Sequence, residues 1–118
     1  VALVDETESL IGEEELQVMR KSACLINVAR GPVVNEKALY QALRDGQIAG
    51  AALDVWWQEP TKPGDLPMPS KYDFAALTNV LMSPHASAMT KEVIQRRLQA
   101  AYANFDRFKL GEPIEGLI

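Results

Sequence analysis

The sequence predicts an α/β protein built on a parallel sheet, and three observations support this. Apolar runs of strand length alternate with stretches of helical spacing along the chain. One of those runs, "ACLINVA" at 23–29, is apolar almost throughout, as expected of a parallel strand covered on both faces. The joins between runs carry Gly, Pro and Asn where one element should stop and the next begin.

Taken in order, Val1 to Val4 is apolar and β-prone and predicts a first strand. In "IGEEELQVMRK" that follows, Leu16 and Met19 share a helical face, acids fill the first turn, and Arg20 and Lys21 close the last, matching the helix dipole. "ACLINVA" is the next strand, with Cys24 expected to be a small buried side chain within it. A second helix starts after Asn35, a good N-cap, repeats apolar residues at Ala38, Leu39, Ala42 and Leu43, and stops at Gly46. "IAGAALDV" at 48–55 predicts a strand so rich in small residues that something must approach its backbone closely. The segment 56–73 holds four prolines, at 60, 63, 67 and 69, and is expected to be irregular. "NVLMS" is a last short strand. The long stretch "TKEVIQRRLQAAYANFDRFKLG" predicts an amphipathic helix with Val93, Leu98, Ala101, Phe105 and Phe108 toward a core. There is no internal repeat.

Composition narrows the function. With 118 residues, 47% apolar and 24% charged, the chain is in the range of one globular unit and outside those of disordered, collagen-like and membrane-spanning chains. Its 12 basic and 16 acidic residues leave a net charge of −4 with no basic stripe, so nucleic acid is not an expected partner. A single cysteine rules out an internal disulfide framework and suits a reducing cytoplasm. No grouping of residues suggests a metal. The start of the chain, without an initiator methionine or signal-peptide pattern, reads as truncated.

In open parallel sheets, ligands bind beyond the carboxyl ends of the strands. Arg30 follows the "INVA" strand, Asp54 and Glu59 stand at and past the "AALDV" strand, and His85, the chain's one histidine, follows the "NVLMS" strand. Each alone has a plainer reading: a surface arginine, a turn cap, a solvated loop acid, a structural histidine. Together they would make a compact site able to grip an anion and move a proton. A lone arginine at the tip of a buried strand also asks for a negative partner, and a ligand carboxylate is the natural one.

"NVARGPVVNEKALYQALRDGQIAGAALDVWWQEP" followed by "SPHASAMT" resembles the C-terminal signature of the NAD-dependent D-isomer-specific 2-hydroxyacid dehydrogenases, over essentially the whole chain. The order and spacing agree: Arg30 lies 29 positions before Glu59, and Asp54 five before it. The resemblance implies the C-terminal half of a Rossmann-type nucleotide-binding domain over 1–88. It also implies a helix and tail over 89–118 that return to the substrate domain. It implies a cytoplasmic, dimeric oxidoreductase moving hydride between NAD, with NADP as the alternative, and C2 of a small 2-ketoacid or D-2-hydroxyacid such as glyoxylate or hydroxypyruvate.

By the same resemblance, Arg30 corresponds to the residue that binds the substrate carboxylate and polarises the carbonyl, and its planar fork of donors suits that task. His85 corresponds to the acid/base and Glu59 to its carboxylate partner, which keeps a proton available for reduction. Asp54 corresponds to the acceptor for the nicotinamide carboxamide. Val28, Ala29, Arg30, His85, Ser87 and Ala88 correspond to positions that approach the cofactor. Formate dehydrogenases share the fold but resemble a glutamine at the Glu59 position. A rival of another class is a nucleotide-controlled binding protein, since C-terminal-binding transcriptional corepressors also resemble this family.

Two departures matter. The glycine-rich phosphate loop and its downstream acid are absent, so the chain resembles roughly the last third of such an enzyme and is expected to be inactive by itself. Trp56-Trp57 stands where phenylalanine is frequent, and "PHASA" replaces a commoner glycine-containing continuation. The tryptophans are expected to pack from the loop into the core.

Overall fold

The computed structural model describes residues 1–65 and 67–116; position 66 in the proline-rich loop and the last two residues of the tail lie outside the described residues. Two compact units emerge, Val1–Ala86 and a second beginning at Ser87. The first contains α1 (Glu13–Val18), β1 (Cys24–Asn27), α2 (Glu36–Arg44), β2 (Gly50–Leu53) and β3 (Val80–Met82). The second contains α3 (Lys91–Leu110).

The three strands form one parallel sheet in the order β1-β2-β3, with Ile26 beside Ala52 and Ala52 beside Leu81. Because the strands advance in one direction, right-handed connections between them all fall on one face of the sheet. On that face the core forms from Leu16 of α1, Leu39, Ala42 and Leu43 of α2, Ile48, Ala51 and Leu53 around β2, and Trp56 and Phe74 from the long loop. Burying side chains of this size contributes about 1.5–3 kcal/mol each.

The prediction that "ACLINVA" is covered on both faces fails for this reason. Ile26 and Leu81 are each 71% exposed, and Cys24 is exposed rather than buried. They share the opposite face, which no element of the first unit reaches among the described residues. Val1–Val4 forms no strand either: Val4 is extended, but a strand needs a hydrogen-bonded neighbour and the sheet offers it none among the described residues.

Local signals elsewhere work as read. Asn35 caps α2 by accepting from the Ala38 N–H at 3.0 Å, and Gly46 ends it in the left-handed region at φ 65°. The small-residue strand is explained by Gly50, where a Cβ would lie 2.7 Å from the Asn79 carbonyl oxygen. In the second unit Thr90 caps α3 and Gly111 ends it, and the tail turns back so that Asn104 and Glu115 exchange hydrogen bonds. Leu98, Phe105 and Phe108 form an apolar face on α3 that is 52–70% exposed, so they meet no core within the second unit among the described residues. No helix among the described residues is long and apolar enough to cross a membrane.

Candidate active site at the carboxyl ends of the strands

Three segments leave the carboxyl ends of β1, β2 and β3, and local bonding shapes each of them. After β1, the side chain of Asn27 bridges the turn: its Oδ1 accepts from the Ala29 N–H at 3.1 Å and its Nδ2 donates to the Arg30 carbonyl at 2.9 Å. Asn27 is 5% exposed, and this Asx-type turn fixes where Arg30 leaves the strand. The Arg30 guanidinium is exposed, donates to the Ala29 carbonyl at 2.7 Å, and takes part in no ion pair among the described residues. The fold thus leaves it a solvent-facing cation.

Gly31 comes next and meets the peptide joining Trp56 to Trp57, where a Cβ would lie 2.2 Å from the Trp56 carbonyl oxygen. Only glycine allows that approach. Through it the β1 segment is pressed onto the segment that carries Glu59.

After β2, Asp54 is 5% exposed, and its backbone N–H donates to the Asn27 carbonyl at 3.0 Å. Its Oδ1 accepts from the Ser83 hydroxyl at 2.6 Å and from the Ala86 N–H at 2.8 Å. The buried carboxylate therefore clasps the His85 loop on both sides. Trp56 is anchored edge-on to Phe74 at 6.5 Å, and Trp57 stacks on the same ring at 5.4 Å while donating its indole N–H to the Val34 carbonyl at 2.8 Å. The tandem tryptophans thus pack into the core, as expected.

After β3, His85 adopts a left-handed backbone at φ 54°, uncommon for a residue with a Cβ and sustained only when its surroundings hold it. Its Nδ1 lies 3.0 Å from each Glu59 carboxylate oxygen. An ionised carboxylate only accepts, so the contact requires the proton on Nδ1 and leaves Nε2 for other chemistry. Both groups border a cleft of about 630 Å³ whose walls include Trp56, Pro60, Met82 and Pro84.

The structure therefore brings Glu59 and His85 into direct contact, ties Asp54 to the histidine loop, and links Arg30 to that neighbourhood through Gly31. Val28 is 59% exposed, so its side chain is not strand packing, and Ala29 is half-buried. Ser87 and Ala88 fall in the second unit. Asn27, Gly31, Trp56 and Ser83 were not singled out from the sequence for these roles. The signals were a polar residue inside an apolar run and a glycine directly after the arginine. No group of three His, Cys, Asp or Glu side chains among the described residues is arranged to hold a metal ion.

A parallel sheet carrying a histidine–carboxylate pair and a buried aspartate at its strand ends is the arrangement of an α/β protein whose cleft lies where such sheets bind ligands. Residues 1–87 match the family described as D-isomer specific 2-hydroxyacid dehydrogenase, NAD binding domain, and the chain belongs to that family.

Among its relatives, the glyoxylate reductase of Korarchaeum cryptofilum is 44% identical over 112 residues, covering 95% of this chain and 32% of that protein. The glycerate dehydrogenase of Methylorubrum extorquens is 42% identical over 113 residues, covering 96% and 34%. The NAD-complexed D-isomer specific 2-hydroxyacid dehydrogenase of Lactobacillus delbrueckii ssp. bulgaricus superposes with a TM-score of 0.83 at 34% identity, covering 100% of this chain and 38% of that one. The chain spans about a third of the length of the curated relatives it matches.

Proposed function

We propose that this chain supplies the acid/base and substrate-anchoring residues of an oxidoreductase that moves hydride between a nicotinamide cofactor and C2 of a small 2-ketoacid or D-2-hydroxyacid. The observation that carries the proposal is the His85–Glu59 pair, with Nδ1 3.0 Å from the carboxylate oxygens, at the carboxyl ends of parallel strands. Relatives named glyoxylate reductase and glycerate dehydrogenase support the substrate class.

The residues present fit the nicotinamide end of the cofactor. Val28 and Ala29 offer an apolar platform at the tip of β1, and the buried Asp54 is tied to the same turn by its bond to the Asn27 carbonyl. Nothing in the sequence fits the pyrophosphate, because the glycine-rich loop is absent. The cofactor, when bound, donates hydride to C2 or accepts it. NAD is the proposed cofactor and NADP the alternative; solved relatives hold NAD in one case and NADPH in another.

The remaining chemistry belongs to the chain. Arg30 holds the substrate carboxylate in its guanidinium fork and draws electron density toward the carbonyl oxygen. His85 gives the Nε2 proton to that oxygen as negative charge develops on it, and takes it back in the oxidation direction. Glu59 fixes the orientation of the ring through Nδ1. Ser87 and Ala88, directly after this loop, line the cofactor side. We extend the reading to a cytoplasmic homodimer without nucleic-acid or membrane partners.

The test is turnover of glyoxylate, hydroxypyruvate and pyruvate by the full-length protein containing this chain, with the 118 residues alone expected to be inactive. Reduction that His85→Ala lowers by at least about a hundredfold supports the proposal. Nucleotide-dependent partner binding with no turnover would instead favour the binding-protein reading.

A further inference from the structure

We propose that Trp56 is a positioning residue for His85, acting through the indole N–H that it donates to the Ser83 carbonyl. Trp56 holds both halves of the histidine–carboxylate pair. Its backbone N–H reaches a Glu59 carboxylate oxygen at 3.3 Å, and its indole N–H reaches the Ser83 carbonyl, two residues before His85, at 3.0 Å. It is only 9% exposed and is braced by Phe74, so the core itself sets the position of these donors. The loop it grips needs such a grip. His85 sits at φ 54°, in a conformation that relaxes unless its neighbours oppose it, and its ring is half exposed.

Among the described residues, and besides the His85–Glu59 contact itself, bonds from this loop run to the β2 end: the Ser83 N–H donates to the Leu53 carbonyl at 2.9 Å, and Ser83 and Ala86 both donate to Asp54. They hold the loop to the sheet. Among the described residues, the indole bond ties the loop to Trp56, which also contacts Glu59, and so helps set the separation of ring and carboxylate. Losing it should leave the fold intact and let the imidazole drift from Glu59.

The inference rests on His85 being the acid/base group proposed above, but its first test requires no turnover. His85 is the one histidine of the sequence, so two-bond proton–nitrogen NMR spectra of the 118-residue chain, recorded with the ring neutral, report a single tautomer equilibrium. The wild-type chain should show mainly the Nδ1–H form, against the Nε2–H preference of an unrestrained imidazole. Trp56→Phe keeps an aromatic ring and removes the donor. It should raise the Nε2–H to Nδ1–H ratio about threefold to tenfold, as loss of one neutral hydrogen bond implies.

If Trp56→Phe loses cooperative unfolding, Trp56→benzothienylalanine keeps both rings and replaces only the N–H. An unchanged tautomer ratio in either folded variant overturns the proposal, and so does a wild-type ring mainly in the Nε2–H form. In the full-length protein, kcat for reduction should fall about threefold to tenfold in Trp56→Phe with little change in KM for the nicotinamide. Unchanged kcat in a folded, active variant would also overturn it. A full-length protein without turnover would remove the oxidoreductase reading and leave the tautomer result standing.

Discussion

Gly31 lies so close to Trp56 that a Cβ on the glycine would stand 2.2 Å from the Trp56 carbonyl oxygen, well inside van der Waals contact. The obstacle is backbone on both sides, so no side-chain rotation can relieve it. Gly31→Ala must push the β1 and β2 segments apart and should cost about 3 kcal/mol, the upper end of overpacking penalties, measured by urea unfolding. A loss below about 0.5 kcal/mol would mean that the two segments are not pressed together. In the full-length protein the same variant should raise KM for the ketoacid, since Arg30 moves with its neighbour.

Glu59→Gln removes the negative charge beside Nδ1 and leaves a side chain of equal length. The acceptor that orients the ring through Nδ1 is weakened, so kcat for reduction in the full-length protein should fall about tenfold or more. An unchanged kcat would take Glu59 out of the mechanism.

Cys24 faces the uncovered side of the sheet together with Ile26 and Leu81. A chromogenic disulfide reagent should therefore titrate one thiol in the native 118-residue chain without denaturant. If modification requires unfolding, that face is covered in solution.

Glu15 accepts from the Gly12 N–H at 2.8 Å at the start of α1, and backbone hydrogen bonds, first from Gly12 and then from Glu15 itself, hold its carboxyl below the ordinary value of 4.5. A lowered carboxyl stabilises the fold above its unfolded value, and that contribution disappears as pH falls through the folded one. Wild type should exceed Glu15→Gln in stability at neutral pH, and in thermal melts the gap should shrink progressively as pH falls below the ordinary carboxyl value. A gap that is constant with pH would show that the charge contributes nothing to the cap.

The sequence by itself determined what short-range chemistry controls. The α2 cap at Asn35, its stop at Gly46, the long helix α3, and the placement of Arg30, Asp54, Glu59 and His85 past strand ends all follow from residue type and spacing. Tertiary structure decided what depends on partners distant along the chain. A strand's pattern cannot tell whether a second layer exists to cover it, so Cys24 and Ile26 were expected inside and lie outside, while Val1–Val4 finds no strand to pair with among the described residues.

Nor does spacing reveal that Asp54 clasps the Ser83–Ala86 loop, or that Trp56 reaches the Ser83 carbonyl across 27 residues of chain. Side-chain hydrogen bonds across such separations exist only once the sheet has brought its strand ends together. The chemistry of the site was therefore legible in its residues, but the geometry that holds His85 against Glu59 arises only from packing.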